Sequence, residues 1–324
     1  MQKILLFIAS LFYFNSLFAK NEIKSWQGIH ETPLSRLEQQ FADPPVEFAN
    51  HVIWGWEGKM DKKTICNDLD SIKKKGFRAV IFEAGYKLPF KYLSEEWFKA
   101  IRTGVLEAKK RGMKVWIIDE GKYPSGFAGG KFSQERPDLR MQALVIGDTI
   151  QVKRGEVMTN HKIAPEIISA VAVSTSGAPN RTVAINNGEI SFNAGLDDWK
   201  ILLVKSDFRT AVTRAVNNPN GGKDATNSLC DYLNPVAVQQ FIDWTHEQYK
   251  KYLGKELGTT VLGFRGDEPD YAHLPWTPSI VQTFKDTKGY DPTPYLASFF
   301  TTSPTIQEPV SYTHLRAHET RRHL

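Results

Sequence analysis

The chain has 324 residues, of which 41% are apolar, 24% charged and 12% aromatic. That profile supports a sizeable core and excludes a largely disordered or collagen-like chain. The net charge of +5 is no nucleic-acid signature, because Lys3 and residues 310–324 (Arg316, Arg321 and Arg322 against Glu319) hold three of those charges and leave the body near neutral. Two cysteines, Cys66 and Cys230, are too few for a disulfide scaffold, and no Cys/His set has zinc-finger spacing.

Residues 1–19 read as a secretory signal: Lys3 is the basic start, Ile4 to Phe14 the apolar run and Ala19 the small residue before the cut. Asn15 and Ser16 stop the run short of the ~20 apolar residues that a membrane span needs. A periplasmic or secreted location is therefore expected, with no stable membrane span after cleavage. Residues 20–41 form a polar lead-in. Residues 310–324 have no apolar period and carry His314, His318 and His323, three of the eight histidines. They resemble the translation of a transposase adapter used in sequencing libraries. They are expected to be non-native, with the natural chain continuing past about Pro309. A histidine-rich metal-binding tail is the other reading.

Between the ends, strand and helix alternate. Residues 51–57 read as a strand, and Asp61 opens a helix with Ile65, Leu69 and Ile72 on one face and Gly76 as its stop. Arg78 to Phe82 is a near-continuous apolar strand. Ser94 caps a helix that runs to Gly112, and Lys114 to Ile118 is the third strand. From about 140 to 210 the rhythm changes to short apolar runs, with Asn186-Asn-Gly188 as a hairpin turn and Asn217 to Gly222 as a closing loop. Asn234 and Pro235 start one helix through Tyr249. Thr260 to Phe264 is a fourth strand and Pro278 to Lys288 a fourth helix. The fold class expected is α/β: an incomplete (β/α)8 barrel of about four βα units with a small inserted β-rich module. Its parts are 42–139, the module at 140–222, and a truncated continuation at 223–309. A doubly wound sheet is the alternative, though the glycine fingers it wants are missing.

Barrels place their working residues where strands end. Those positions hold Trp54, Trp56, Glu83, Tyr86, Asp119, Glu120, Tyr123, Asp267, Glu268, Asp270, Tyr271, His273 and Trp276. Carboxylates with aromatics at one rim suit a sugar, since rings stack on its apolar faces and carboxylates bond its hydroxyls. Glycoside cleavage needs a protonated carboxyl beside the scissile bond. Glu268 suits that post, with Pro269 stiffening the turn and Asp267 tuning its pKa or contacting substrate. Gly126, Gly129 and Gly130 allow positive φ and close backbone approach to a ligand. His246, mid-helix, reads as a packing or surface residue, and Asp231-Tyr232 as able to reach the rim.

Five stretches together resemble a known family: Trp54-Gly-Trp-Glu-Gly58, Tyr92-Leu-Ser-Glu-Glu-Trp-Phe98, Asp119-Glu-Gly-Lys-Tyr-Pro-Ser-Gly-Phe-Ala-Gly-Gly130, Asp231-Tyr-Leu-Asn-Pro235 and Gly263-Phe-Arg-Gly-Asp-Glu-Pro269. They are similar to the barrel of glycoside hydrolase family 106, the α-L-rhamnosidases, over about 42–300. The resemblance implies an oligo- or polysaccharide substrate, inversion with two glutamates, calcium in some members, and Glu268 as general acid. Two departures stand out. The base has no match and is expected beyond 309, and Arg265-Gly266 stands where a smaller or hydroxylated residue is expected. A carbohydrate-binding barrel without catalysis, gripping glycan with Trp54, Trp56, Tyr86 and Trp276, is the second reading. A metal-dependent hydrolase using Asp119, Glu120 and Asp267 is the third, with no histidine pair to support it.

Overall fold

A computed structural model describes residues 33–42, 50–210, 214–215, 228–267, 269 and 273–301. The signal-like segment, the 217–222 loop, Glu268, Asp270, Tyr271 and the 310–324 tail lie outside the described residues, and Tyr123 is placed by its backbone alone.

After helix α1 (Leu34–Ala42), strand and helix alternate through β1 (His51–Trp56), α2 (Lys62–Lys74), β2 (Ala79–Ala84), α3 (Glu95–Lys110) and β3 (Lys114–Ile118). The caps account for the boundaries. The Asp61 carboxylate accepts the Thr64 N–H at 2.8 Å and the Ser94 hydroxyl accepts that of Trp97 at 3.3 Å, each satisfying a donor that has no partner within the helix. At the other ends Gly76 and Gly112 take φ of 95° and 68°, the left-handed geometry that glycine adopts at no steric cost.

Next in order come β4 (Lys122–Tyr123), the short helix α4 (Lys131–Glu135) and the β-rich segment: β5 (Gln142–Val152), β6 (Val157–Lys162), β7 (Ile167–Ser174), β8 (Arg181–Thr182), β9 (Ile185–Asn186), β10 (Glu189–Asn193) and β11 (Trp199–Phe208). Then follow β12 (Arg214–Ala215), α5 (Pro235–Trp244), α6 (His246–Leu253), β13 (Val261–Arg265), β14 (Pro275–Trp276) and α7 (Ile280–Lys288). The expected hairpin at Asn186 to Gly188 forms between β9 and β10, with Asn187 and Gly188 at φ 50° and 76°.

The first sheet is parallel, in the order β1-β2-β3-β13. Each strand lies beside its predecessor, with none of the order reversal of a doubly wound sheet. Among the described residues this sheet is open, and they do not by themselves establish a barrel. Register sends alternate residues to one face. Trp56, Phe82, Val80, Val115 and Ile117 pack there against Ile65 and Leu69 of α2, Trp97, Ile101 and Val105 of α3, and Tyr249 and Leu253 of α6. Each such side chain contributes about 1.5–3 kcal/mol on burial. Trp56 is the centre of this core at 0% exposure, its ring 5.1 Å from Phe82 and 5.7 Å from Trp97.

Two expectations are corrected here. The helix from Asn234 is two helices, broken at Thr245 (φ −117°, ψ −84°), whose hydroxyl donates back to the Phe241 carbonyl at 2.6 Å. The β-rich part also extends beyond its own stretch of sequence. Its five-stranded sheet runs β14-β5-β11-β7-β8, so the edge strand Pro275–Trp276 comes from the segment expected to continue the barrel. Trp276 is buried with Leu144, Val171, Leu202, Val204 and Leu296, and is a core residue of that sheet.

Gly104 tests the aromatic core. Alanine in a helix gains about 1 kcal/mol of propensity over glycine. Its methyl would stand 2.9 Å from Phe82 Cε2 and 3.1 Å from Trp56 Cζ2, and overpacking costs about 1–3 kcal/mol. The clash is expected to dominate, so Gly104→Ala lowers the urea midpoint; an equal or higher midpoint would contradict this packing.

Candidate active site

The register Ile118↔Arg265 sets the ends of β3 and β13 side by side, so Asp119-Glu120 and the Gly266-Asp267 turn leave the sheet together. Between Glu120 and Gly130 the chain folds into a tight loop. Ala128, Gly129 and Gly130 follow one another at φ 51°, 61° and 88°, which aims successive N–H groups inward as an anion-binding nest does. The anion is the chain's own Glu120, at 0% exposure. Oε1 accepts the Gly121 and Gly129 N–H groups at 2.7 and 3.0 Å, and Oε2 accepts that of Ala128. Ala128 bears left-handed strain, which costs of order 1–3 kcal/mol, and the N–H it delivers to a buried carboxylate offsets it.

Asp119 is placed differently. It is 8% exposed, and Ser125 Oγ donates to its Oδ1 at 2.7 Å. The same Oγ accepts the Asp267 N–H at 2.7 Å, while the Ser125 N–H donates to the Asp267 carbonyl at 3.0 Å. The Asp119 N–H in turn donates to the Arg265 carbonyl at 3.2 Å. Behind the loop, Tyr232 OH donates to the Ser125 carbonyl and the Cys230 N–H to that of Gly126 at 2.8 Å. Gly126, at φ 102°, has no room for a side chain, since a Cβ there would lie 2.6 Å from Tyr232 OH.

Burial sets the charges. It pushes the Asp119 carboxyl up to about 6, with the Ser125 hydrogen bond opposing and the charge of Asp267 adding. It pushes Glu120 up to about 8 against the three N–H bonds that favour its carboxylate. Burial also raises Asp231 and, with Glu120 and Asp231 nearby, the Cys230 thiol. His246 is lowered by burial and packs 4.5 Å from the Phe264 ring, a packing histidine.

The sequence-derived site residues therefore divide. Asp119 and Asp267 are brought together through Ser125. Glu83 is half-buried on the sheet face away from the aromatic core, beside Gly55 in the register. Tyr86, 36% exposed, follows β2, and its N–H donates to Glu57 Oε1 at 3.2 Å. Trp54 is half-buried against Trp56 and Phe82. Trp56 and Trp276 are corrected to core residues, with no ring face left for a sugar. Glu120 is corrected from a substrate contact to the loop's own anion, both oxygens being taken. Tyr123 pairs through its backbone with Arg214. The residue missed was Ser125, although it is the only polar side chain in Pro124 to Gly130.

Among the described residues no three of His, Cys, Asp and Glu converge to hold a metal. No helix among the described residues is long and apolar enough to cross a membrane.

Comparison with known proteins adds kinship to this geometry. The sequence model of a family described as alpha-L-rhamnosidase, glycoside hydrolase family 106, matches residues 170–303. That span includes the Asp267–Pro269 turn and leaves out Asp119–Gly130. A putative beta-glucuronidase of Formosa agariphila is 23% identical over 95% of this chain and 30% of its own length. A rhamnosidase from Novosphingobium sp. PP1Y is similar in fold, with TM-score 0.52 and 13% identity over 82% of this chain and 42% of that one. The chain thus spans less than half the length of these relatives. Over residues 170–303 it is similar to the glycoside hydrolases of family 106.

Two measurements follow. Glu120→Gln turns one acceptor oxygen into an amide NH2 facing N–H donors, and an unsatisfied buried group costs about 1–3 kcal/mol. The variant is expected to melt well below the wild type, and an equal melting temperature would show that the nest does not depend on the carboxylate. Asp119 holds its proton more tightly folded than unfolded. Its contribution is therefore full below about pH 4 and is lost as pH rises through about 6. Asp119→Asn is expected to flatten that part of the stability–pH curve; a wild-type slope in the variant would remove Asp119 as its source.

Proposed function

We propose that this chain is the catalytic region of an exported glycoside hydrolase that cleaves α-L-rhamnosides in oligo- or polysaccharides, built on part of a (β/α)8 barrel. The observation that carries this reading is the joining of Asp119 to the Asp267 turn at adjacent ends of β3 and β13. In a barrel those strand ends are where catalysis is built.

In this reading Glu268 donates its proton to the leaving glycosidic oxygen as the bond to the anomeric carbon breaks. A water attacks that carbon from the opposite face and gives its proton to a second carboxylate, which is not among the residues assigned here. Asp267, next in sequence, contacts the substrate beside it. Asp119 and Glu83 bond sugar hydroxyls, and Tyr86 offers its ring. The family match over 170–303 and the fold likeness support this assignment.

A second substrate, a uronide, is favoured by Arg265. Its guanidinium is 42% exposed at the end of β13, 3.8 Å from Asp267 Oδ1, and an arginine there suits a sugar carboxylate. The relative described as a putative beta-glucuronidase points the same way.

Aryl α-L-rhamnosides and aryl β-D-glucuronides assayed side by side decide between them. On whichever is cleaved, Glu268→Gln is expected to lower kcat roughly 10²–10⁴-fold while sugar binding by calorimetry stays within threefold. Undiminished turnover would remove Glu268 as the acid. Binding without turnover in the full-length wild-type protein, which carries the second carboxylate, would favour the non-catalytic carbohydrate-binding barrel.

A further inference from the structure

We propose that Ser125 is a positioning residue of this site: it clamps the backbone of Asp267 and so fixes the end of β13 against Asp119. The proposal rests on the reading of Glu268 as the acid, but the clamp itself is separable from it.

A turn that leaves the end of a strand has backbone groups with no sheet partner, and ordinarily gives them to water. Asp267 has both of its groups taken by one residue 142 positions away. Ser125 donates its N–H to the Asp267 carbonyl at 3.0 Å and accepts the Asp267 N–H on Oγ at 2.7 Å. A hydroxyl has one proton to give and two lone pairs. With one lone pair on Asp267, its proton goes to Asp119 Oδ1 at 2.7 Å. This donor–acceptor split fixes the hydroxyl rotor, and alanine cannot reproduce it. Nor does Ser125 have slack of its own. It is 7% exposed, its carbonyl is taken by Tyr232 OH, and Gly126 lets that tyrosine close in. On the far side of Glu268, Pro269 fixes its own φ and narrows the backbone choice of the residue before it.

The geometry also accounts for Gly266. A Cβ there would lie 3.8 Å from both Asp119 Oδ2 and Ser125 Oγ, ordinary contact and no clash. The small residue therefore leaves space beside Asp119 Oδ2 without being forced by the clamp.

The test is hydrogen exchange read by mass spectrometry on the whole chain, with kinetics beside it. Ser125→Ala is expected to speed exchange in peptides spanning 261–276 at least tenfold, leaving β1 and β2 unchanged, and Ser125→Thr, which keeps the hydroxyl, to restore protection. If the alanine variant does not fold, Ser125→Cys carries the test. It keeps the volume, weakens both hydroxyl bonds, and is expected to speed exchange at least threefold. On an aryl glycoside the chain cleaves, Ser125→Ala is expected to lower kcat at least tenfold with KM within threefold, again restored by threonine. Unchanged protection of 261–276, or a rise in KM with kcat intact, overturns the proposal. Loss of protection, with a full-length protein that cleaves no glycoside, would sink the hydrolase reading and leave the clamp standing.

Discussion

A carboxylate taken out of water must be given donors, and meeting that demand at Glu120 shapes everything around it. The Gly121, Ala128 and Gly129 N–H groups converge on its two oxygens, and the backbone from Ala128 to Gly130 runs left-handed for three residues in a row. That curl brings Ser125 to the strand ends and leaves Gly126 against Tyr232. The loop is therefore held around a buried carboxyl at its centre, and Gly129, expected to approach a ligand, serves that carboxyl instead.

Much of the fold was legible because local chemistry and global packing agree. Asp61 and Ser94 cap the helices they were expected to cap, and the apolar run after Arg78 is a buried parallel strand. Strand end points moved by a residue or two, as they do when caps are absent. Thr245 could not be read. Its backbone leaves helical geometry at φ −117°, ψ −84°, while an apolar period continues across it.

The candidate site was legible by address and less so by role. Strand-end positions did hold Asp119 and Asp267 together. Alternation alone could not tell which face of β1 was covered, so Trp56 looked as available as Tyr86 until the helices were in place. Trp276 was misread for a different reason. A two-residue strand carries no periodic signal, and its pairing with Gln142 and Ala143 spans the whole insertion. Ser125 was passed over because a lone serine in a glycine-rich loop looks like turn chemistry. Only the long-range approach of Asp267 gives it a further part.

The return of the chain to β14 has an evolutionary side. The β-rich sheet is completed by residues that lie beyond the Asp267 turn, so the turn is strung between the end of β13 and an edge strand of the other sheet. Such an insertion cannot be traded between lineages as a self-contained cassette. Any replacement must bring its own edge to receive Pro275 and Trp276, or the turn loses one of its moorings. Drift in the outer sheet is thereby tied to the strand ends of the inner one.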